Sequence, residues 1–388
     1  MVYLERTITS KLRELSEQFP AVFLTGPRQS GKSTLLTHAL SHYAYFSLED
    51  IDIREYATED PRGFLEHCGS RVILDEVQRA PSLFSYLQTK IDKEDTPGMY
   101  LLSGSQNFLM LKGVSQSLAG RVGVLSLLPL TLDEMRAGEH APSSGEGWIV
   151  NGCYPRAITR NIPAPNFYPS YLKTYVERDI RNETSVRDVL CFETFLTACA
   201  SKVGSPINLS DLGRDIGIDS RTVASWISIL EESYIAFRLA PYYRNTGNRH
   251  IKTAKLYFYD TGLLCSLLGL NTEAGVKASK RIGLLFENAV IAEKRKQLHH
   301  LGKAPRMFFW RDKSNKDKEI DLIIEQSHDH LELFEIKSSK TANRSYLNAM
   351  KQLASKSEAE CTLRVIYRGE SLLQHSNVSA SYQNWRAL

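Results

Sequence analysis

The apolar positions in the first third of the chain come in short, nearly unbroken runs, not in helical stripes. "AVFLT", "YAYFS", "RVILD", "MYLLSG" and "RVGVLSLLPL" have the length of strands, and their continuity fits strands covered on both faces. Polar, charge-rich segments separate them, so five strands with intervening helices predict a three-layer α/β domain. From Asp133 to about Ser205 the pattern turns helical, broken by the loop signals "HAPSSGEGW" and "NIPAPNFYP". Within it, "YPSYLKTYVERDIRN" is an amphipathic helix with Arg178 and Arg181 on a solvated face. In "NLSDLGRDIGIDSRTVASWISILEESYIAFRLAPYYRN", Ser210 caps a short helix carrying Leu212 and Ile216, and "GID" makes a turn. Ser220 then opens a second helix that buries Val223, Trp226, Ile227 and Leu230. The strands "YIAFRLAPY" and "KLYFYD" follow, which completes a winged-helix pattern. The last third predicts a helix, "RIGLLFENAVIAEKRKQL", with Ile282, Leu285, Phe286, Ala289 and Val290 inward and Glu287 beside that face. Two strands in "MFFWRDKSNKDKEIDLIIEQ" come next, the second bearing Asp321, and then the strand "LELFEIKSSK". Residues two apart in a strand share a face, so Glu335 and Lys337 project together.

Composition narrows the class. A chain of 388 residues exceeds one ordinary core, and two or three domains are expected. Its six cysteines contain no Cys-x-x-Cys pair, which argues against a zinc site or a disulfide framework and for a reduced, cytoplasmic setting. The apolar runs fall short of the roughly 18 residues that span a bilayer, and the N-terminus has no signal-peptide core, so no membrane partner is expected. A net charge of +4 is too small to indicate nucleic acid by itself. Its distribution says more: between Glu232 and Asp260 no acid occurs, while Arg238, Arg244, Arg249, His250, Lys252 and Lys255 do.

Three constellations carry chemistry. "GPRQSGKST" (Gly26, Pro27, Arg28, Gln29, Ser30, Gly31, Lys32, Ser33, Thr34) follows a strand and opens a helix. The glycines let backbone N–H groups wrap phosphates, Lys32 reaches the terminal phosphates and the Ser33 hydroxyl can ligate magnesium. ATP and Mg2+ are the implied cofactors. "ILDE" ends a second strand in Asp75, placed to hold the magnesium through water, and Glu76, placed to orient or deprotonate the attacking water. In the winged helix, Arg221, Thr222 and Ser225 sit where a recognition helix meets base edges, and Arg244, Arg249 and Lys252 sit at a wing tip suited to phosphates. A module for protein contacts is the alternative. In the last third, Glu287, Asp321 and Glu335 with Lys337 can converge on one end of a small sheet. There two carboxylates could bind Mg2+ or Mn2+ and the lysine could stabilise charge; an ordinary surface strand is the alternative.

The quoted motifs, with "LLSGSQNFLML", "SLAGRV", "LPLTLDEM", "GCYPRA", "YVERDI", "YFYDTGLL", "FENAVIAE", "FWRDK" and "EIKSS", run from about Thr25 to Ser339. Together they resemble AAA+ ATPases of the AAA_14/DUF4143 family. The resemblance implies a P-loop AAA+ core over 1–132 and a helical lid over 133–205. A winged helix over 206–260 and a restriction-endonuclease-like PD-(D/E)XK domain over 261–388 would complete it. It also implies an extra strand between the two nucleotide-binding strands, and a sensor of the γ-phosphate at Ser105 or Asn107. Arg121 would be an arginine finger that completes a neighbour's site in a homo-oligomeric ring, possible as a hexamer. Ile320 stands where the nuclease motif has proline. The reading that results is an ATP-hydrolysing protein that remodels double-stranded or branched DNA such as a Holliday junction. The rival is a regulatory ATPase whose C-terminal domains bind a protein partner.

Overall fold

The structure is a computed structural model that describes residues 3–104, 118–175, 188–243, 253–312, 318–369, 374–375 and 380–388. The chain forms two compact units. The first comprises Met1–Gly138 with Glu232–Tyr234 and Lys296–Lys303, and the second Glu139–Glu231, Ile235–Arg295 and Ala304–Leu388.

Five parallel strands build the first unit: β1 (Ala21–Thr25), β2 (Ala44–Ser47), β3 (Val72–Asp75), β4 (Tyr100–Gly104) and β5 (Val122–Ser126), in the order β2-β3-β4-β1-β5. The extra strand β4 does lie between β1 and β3. Alternation along each strand sends side chains to opposite faces. Phe23, Leu74 and Leu102 enter one core, while Val22, Leu24, Ile73 and Leu101 enter another. Both faces are therefore covered, and the unbroken apolar runs follow from that.

A buried charged network ties three distant stretches of this unit together. Arg6 Nη1 donates to the Ser30 carbonyl (2.8 Å), Nη2 to the Leu128 carbonyl (2.6 Å), and Nε lies 3.1 Å from Glu134 Oε2. Glu134 also closes a capping box with Thr131 at the helix Leu132–Ala137, and its Oε1 lies 3.1 Å from His300 Nδ1. Through His300 Nε2 the network accepts the Leu128 N–H (3.2 Å). A buried carboxylate without partners is costly, so each member of this set stabilises the others.

The second unit holds a mixed eight-stranded sheet, β12-β13-β11-β10-β9-β8-β6-β7. Its strands are β6 (Ala236–Pro241), β7 (Lys255–Phe258), β8 (Met307–Arg311), β9 (Glu319–Ser327), β10 (His330–Lys337), β11 (Glu360–Tyr367), β12 (Gln374–His375) and β13 (Ala380–Asn384). β6 and β7 are the antiparallel pair expected of the wing, and β6 also joins β8 in parallel, so these strands continue the C-terminal sheet.

The helix–turn–helix consists of Leu209–Ile216 and Ser220–Glu232, and the second buries Val223, Trp226, Ile227 and Leu230. The first is capped not by Ser210 but by Asn208, whose amide oxygen accepts from the Ser210 and Asp211 N–H groups; Asn reaches N2 and N3 from the position before the helix. Helix Ile282–His300 departs from a simple stripe. Leu285, Phe286, Asn288, Ala289, Val290, Ile291, Ala292 and Glu293 are all buried, and Ile282 is only half-buried. All six cysteines are free, and no described helix is long and apolar enough to cross a membrane.

The network predicts acid lability of the first unit. Burial, ahead of the attraction of Glu134, holds the His300 imidazole below its ordinary pKa. Burial opposes the charge on Glu134, but Arg6 and then His300 outweigh it and hold that carboxyl well below the usual range. In both cases the unfolded chain takes up a proton that the folded one refuses. Stability is full at higher pH, falls as the pH drops below about 6.5 through His300, and falls again below about 4.3 through Glu134. Calorimetric unfolding across this range should show the upper step in wild type and not in His300→Gln. An identical pH profile for the two proteins contradicts the assignment.

Candidate functional site

The phosphate loop leaves β1 at Thr25 and enters the helix Lys32–Ala39. Gly26 has φ 149°, and a Cβ there would meet the Leu127 carbonyl oxygen at 2.1 Å, so only glycine fits. Gln29 and Gly31 also take positive φ, 60° and 95°, which coils the loop Pro27–Ser30 around its own centre. Lys32 is buried, with Nζ 3.0 Å from the carbonyls of Gly26 and Pro27. Ser30 Oγ is buried without a hydrogen-bond partner among the described residues. Arg28 is half-buried, and Gln29 and Thr34 are exposed at the loop and the first helical turn. A glycine cradle, a buried ammonium, an orphaned hydroxyl and a helix N-terminus fit a nucleoside triphosphate with its magnesium.

Asp75 ends β3 and gathers hydroxyls from three other elements. Its Oδ2 accepts from Ser33 (2.6 Å) and from Tyr45 on β2 (2.6 Å), and its Oδ1 accepts from Ser103 on β4. Burial, then the bond to and the charge of Asp75, raise the Tyr45 phenol far above its ordinary pKa, so it remains a donor. The next residue, Glu76, takes the left-handed conformation (φ 55°), with its N–H 3.2 Å from Asp75 Oδ1 and its carboxylate bonded to Gln78. A left-handed Glu costs about 1–2 kcal/mol, and such strain collects where a side chain must be aimed. Arg121, ahead of β5, forms an exposed two-point ion pair with Asp92.

Tyr45 and Ser103 were not legible as site residues. Ser103 carried a signal, a lone hydroxyl inside the otherwise apolar "MYLLSG", one pair of residues before the expected sensor Ser105. Ser105 and Asn107 lie outside the described residues, as do Arg178, Arg181, Arg244, Arg249, His250 and Lys252.

On the helix Ser220–Glu232, Arg221 and Ser225 are exposed, four residues apart and so on one face. Thr222 is spent on the helix cap: its hydroxyl donates to Asp219 Oδ2 (2.6 Å), and Asp219 also accepts the N–H groups of Arg221 and Thr222. Two members of the basic segment already have acidic partners, Arg238 at the surface and Lys255 inside. Arg238 pairs with Glu231 (2.7 Å), and Lys255 is buried.

The C-terminal acids do approach one another. Asp321 lies on β9, next to β10, which carries Glu335 and Lys337. Lys337 Nζ lies 2.6 Å from Glu335 and 3.5 Å from Asp321, and Asp321 Oδ2 accepts the Ile336 N–H (2.7 Å). Glu287 accepts from Tyr257 (2.5 Å) and lies 3.4 Å from Lys255 Nζ. Burial, then repulsion from Asp321, raises the Glu287 and Glu335 carboxyls above their ordinary values. Among the described residues, no group of three His, Cys, Asp or Glu side chains is placed to hold a metal ion. Glu335 Oε2 is buried without a hydrogen-bond partner among the described residues, but Lys255 and Lys337 already lie against these acids, and the set does not fit the Mg2+ or Mn2+ expected of Glu287, Asp321 and Glu335.

The family description "AAA domain" matches residues 18–136, a domain of unknown function (DUF8612) matches 145–274, and another (DUF4143) matches 282–383. The chain is 28% identical over 376 residues to protein Rv2008c of Mycobacterium tuberculosis and equally to Mb2031c of Mycobacterium bovis, covering 95% of this chain and 81% of each relative. Among solved structures, the Walker-type ATPase PABY2304 of Pyrococcus abyssi aligns with a TM-score of 0.43 at 16% identity, over 69% of this chain and 96% of that one. AMPPCP-bound DnaA of Aquifex aeolicus aligns at 0.31 and 17%, over 58% and 86%.

If the Asp75 hydroxyl cradle sets the magnesium position, Ser103→Ala should raise the Mg2+ concentration for half-maximal ATP turnover about tenfold, the worth of one charged hydrogen bond. Tyr45→Phe should act in the same direction. An unchanged Mg2+ requirement in both variants contradicts the cradle.

Proposed function

We propose that this chain, an AAA-type ATPase domain joined to a DUF4143 region, hydrolyses ATP and uses the cycle to control its grip on DNA. The observation that carries this reading is the hydrogen bond between Ser33 and Asp75, which joins the phosphate loop to the end of β3. In the proposed cycle Lys32 neutralises the terminal phosphates, and Ser33 and Asp75 hold the magnesium. Bound Mg·ATP supplies the electrophilic phosphorus and the charge that these groups offset. Glu76 orients the attacking water once its carboxylate leaves Gln78.

Arg121 is the proposed finger for a neighbouring subunit of a homo-oligomer. Its partner Asp92 is exposed and can be exchanged for phosphate oxygens at little cost, because water and salt screen an exposed ion pair. Arg121→Ala should then lower turnover by about 10³-fold or more while nucleotide still binds. Turnover at the wild-type rate rules the finger out.

Arg221 and Ser225 support duplex or branched DNA as the partner of the winged helix, with the 244–252 segment as the phosphate contact. Strand cleavage is not part of this reading, because the C-terminal acids are already paired. Fluorescence anisotropy of duplex and four-way DNA over a salt series tests the DNA half. The affinity should fall steeply with salt, by a log-log slope of about 0.9 per phosphate contacted, and Arg221→Ala should weaken both substrates alike. Absence of salt-dependent binding to either DNA rejects this half and leaves a protein partner.

A further inference from the structure

The second unit places Glu287, Glu319, Asp321 and Glu335 near one another and supplies its own cations to them. Lys255, 2% exposed, reaches from β7 to Glu287 (3.4 Å) and to Glu319, with its Nζ 5.3 Å from the centre of the Phe309 ring. Arg311 takes the other oxygen of Glu319, 2.5 Å from Nε. Lys337 lies between Glu335 and Asp321 and stacks 5.9 Å from the Tyr346 ring. Four carboxylates thus face three resident cations, and the remaining bonds come from the Tyr257 hydroxyl and the Ile336 N–H.

A hard divalent ion needs several oxygens free to coordinate it. Here one oxygen each of Glu287, Asp321 and Glu335 already accepts from an ammonium, hydroxyl or amide group, and Glu335 Oε2 is buried without a hydrogen-bond partner among the described residues, so what opposes a metal is the resident positive charge. A dication added among them would lie within a few ångströms of a buried ammonium, and like charges repel strongly where water is scarce.

Glu287 has a second occupation that accounts for its place on the helix. Its neighbour Asn288 brackets the backbone of Phe258, accepting from the N–H (2.8 Å) and donating to the carbonyl (2.9 Å). Consecutive residues of one helix therefore dock on consecutive residues of an edge strand: Asn288 satisfies the backbone of β7, and Glu287 holds the Tyr257 and Lys255 side chains.

We infer that Lys255 and Lys337 take the place of a divalent metal in this cluster. The ammonium of Lys255 is a covalently attached counter-ion that locks β7 to the helix Ile282–His300 and to β9. The C-terminal domain accordingly cleaves no phosphodiester bond by a metal-bound water and serves as a rigid support for the β6–β7 pair. This rests on the second unit alone and is independent of ATP hydrolysis.

The test titrates Mn2+ into the nucleotide-free full chain, following free Mn2+ by electron paramagnetic resonance and stability by thermal unfolding. Asp321→Asn separates this cluster from the phosphate-loop site. Wild type and Asp321→Asn should bind Mn2+ equally and show no difference in Mn2+-dependent Tm. Lys255→Met should lower the Tm by about 5 °C or more and gain Mn2+ binding that restores the Tm and disappears when Asp321→Asn is added. If Lys255→Met does not fold, Lys337→Met, at the more exposed end of the cluster, should show the same gain. Mn2+ binding to wild type that depends on Asp321 overturns the inference, and so does a failure of the folded lysine variants to gain Mn2+.

Discussion

The hydrogen bonds that converge on the Asp75 carboxylate are the constraint around which the first unit is arranged. Ser33, Tyr45 and Ser103 come from a helix, an edge strand and a central strand, and they meet on one side chain only if β3 lies between β2 and β4 with these registers. The pairing Ser47↔Asp75 fixes β2, and Leu74↔Leu102 fixes β4. The helix that brings Ser33 starts where Gly31 turns the loop, and the loop is backed by Arg6 and the Leu127 carbonyl. One misplaced residue in any of these would reverse a strand's faces and remove a hydroxyl from the set.

The two units treat buried carboxylates in opposite ways, and the difference is chemical. Around Asp75 the partners are neutral hydroxyls, which orient the oxygens and bring no positive charge. Such an environment suits a group that must still attract a cation. Around Glu287, Glu319, Asp321 and Glu335 the partners include two lysines and an arginine, which supply the charge themselves. Glu134 follows the second pattern for structural ends, with Arg6 and His300 as its partners. An acid-rich sequence motif is thus compatible with a metal site or with an internal ion-pair network, and the partners decide which it is.

Sequence pattern carried the first unit almost completely, because its signals are local. A run apolar on both faces means a strand inside a three-layer sandwich, and a glycine-rich turn before a lysine means a phosphate cradle. The strand neighbours of Asp321, Glu335 and Lys337 were equally legible, since alternation and a short polar turn specify them. Three things were not legible. Tyr45 and Ser103 acquire their role from strand order, which brings together residues far apart in the chain. Arg6, Glu134 and His300 are separated by long stretches, and nothing in their local sequence marks them as one network. Lys255 reads as part of a basic, acid-free stretch, whereas in three dimensions its acids come from a helix and a strand that follow it. Net charge counted along the chain cannot see such pairing.

On the proposed function, the loop Gly26–Ser33 and Asp75 form a working ATP site. Steady-state ATP turnover by the full chain with Mg2+, compared with that of Lys32→Ala, tests it most directly. Turnover in wild type should be lost in Lys32→Ala, because the buried ammonium of Lys32 lies against the carbonyls of the loop. Turnover by Lys32→Ala at the wild-type rate, or a wild type that neither binds nor hydrolyses ATP, would contradict it.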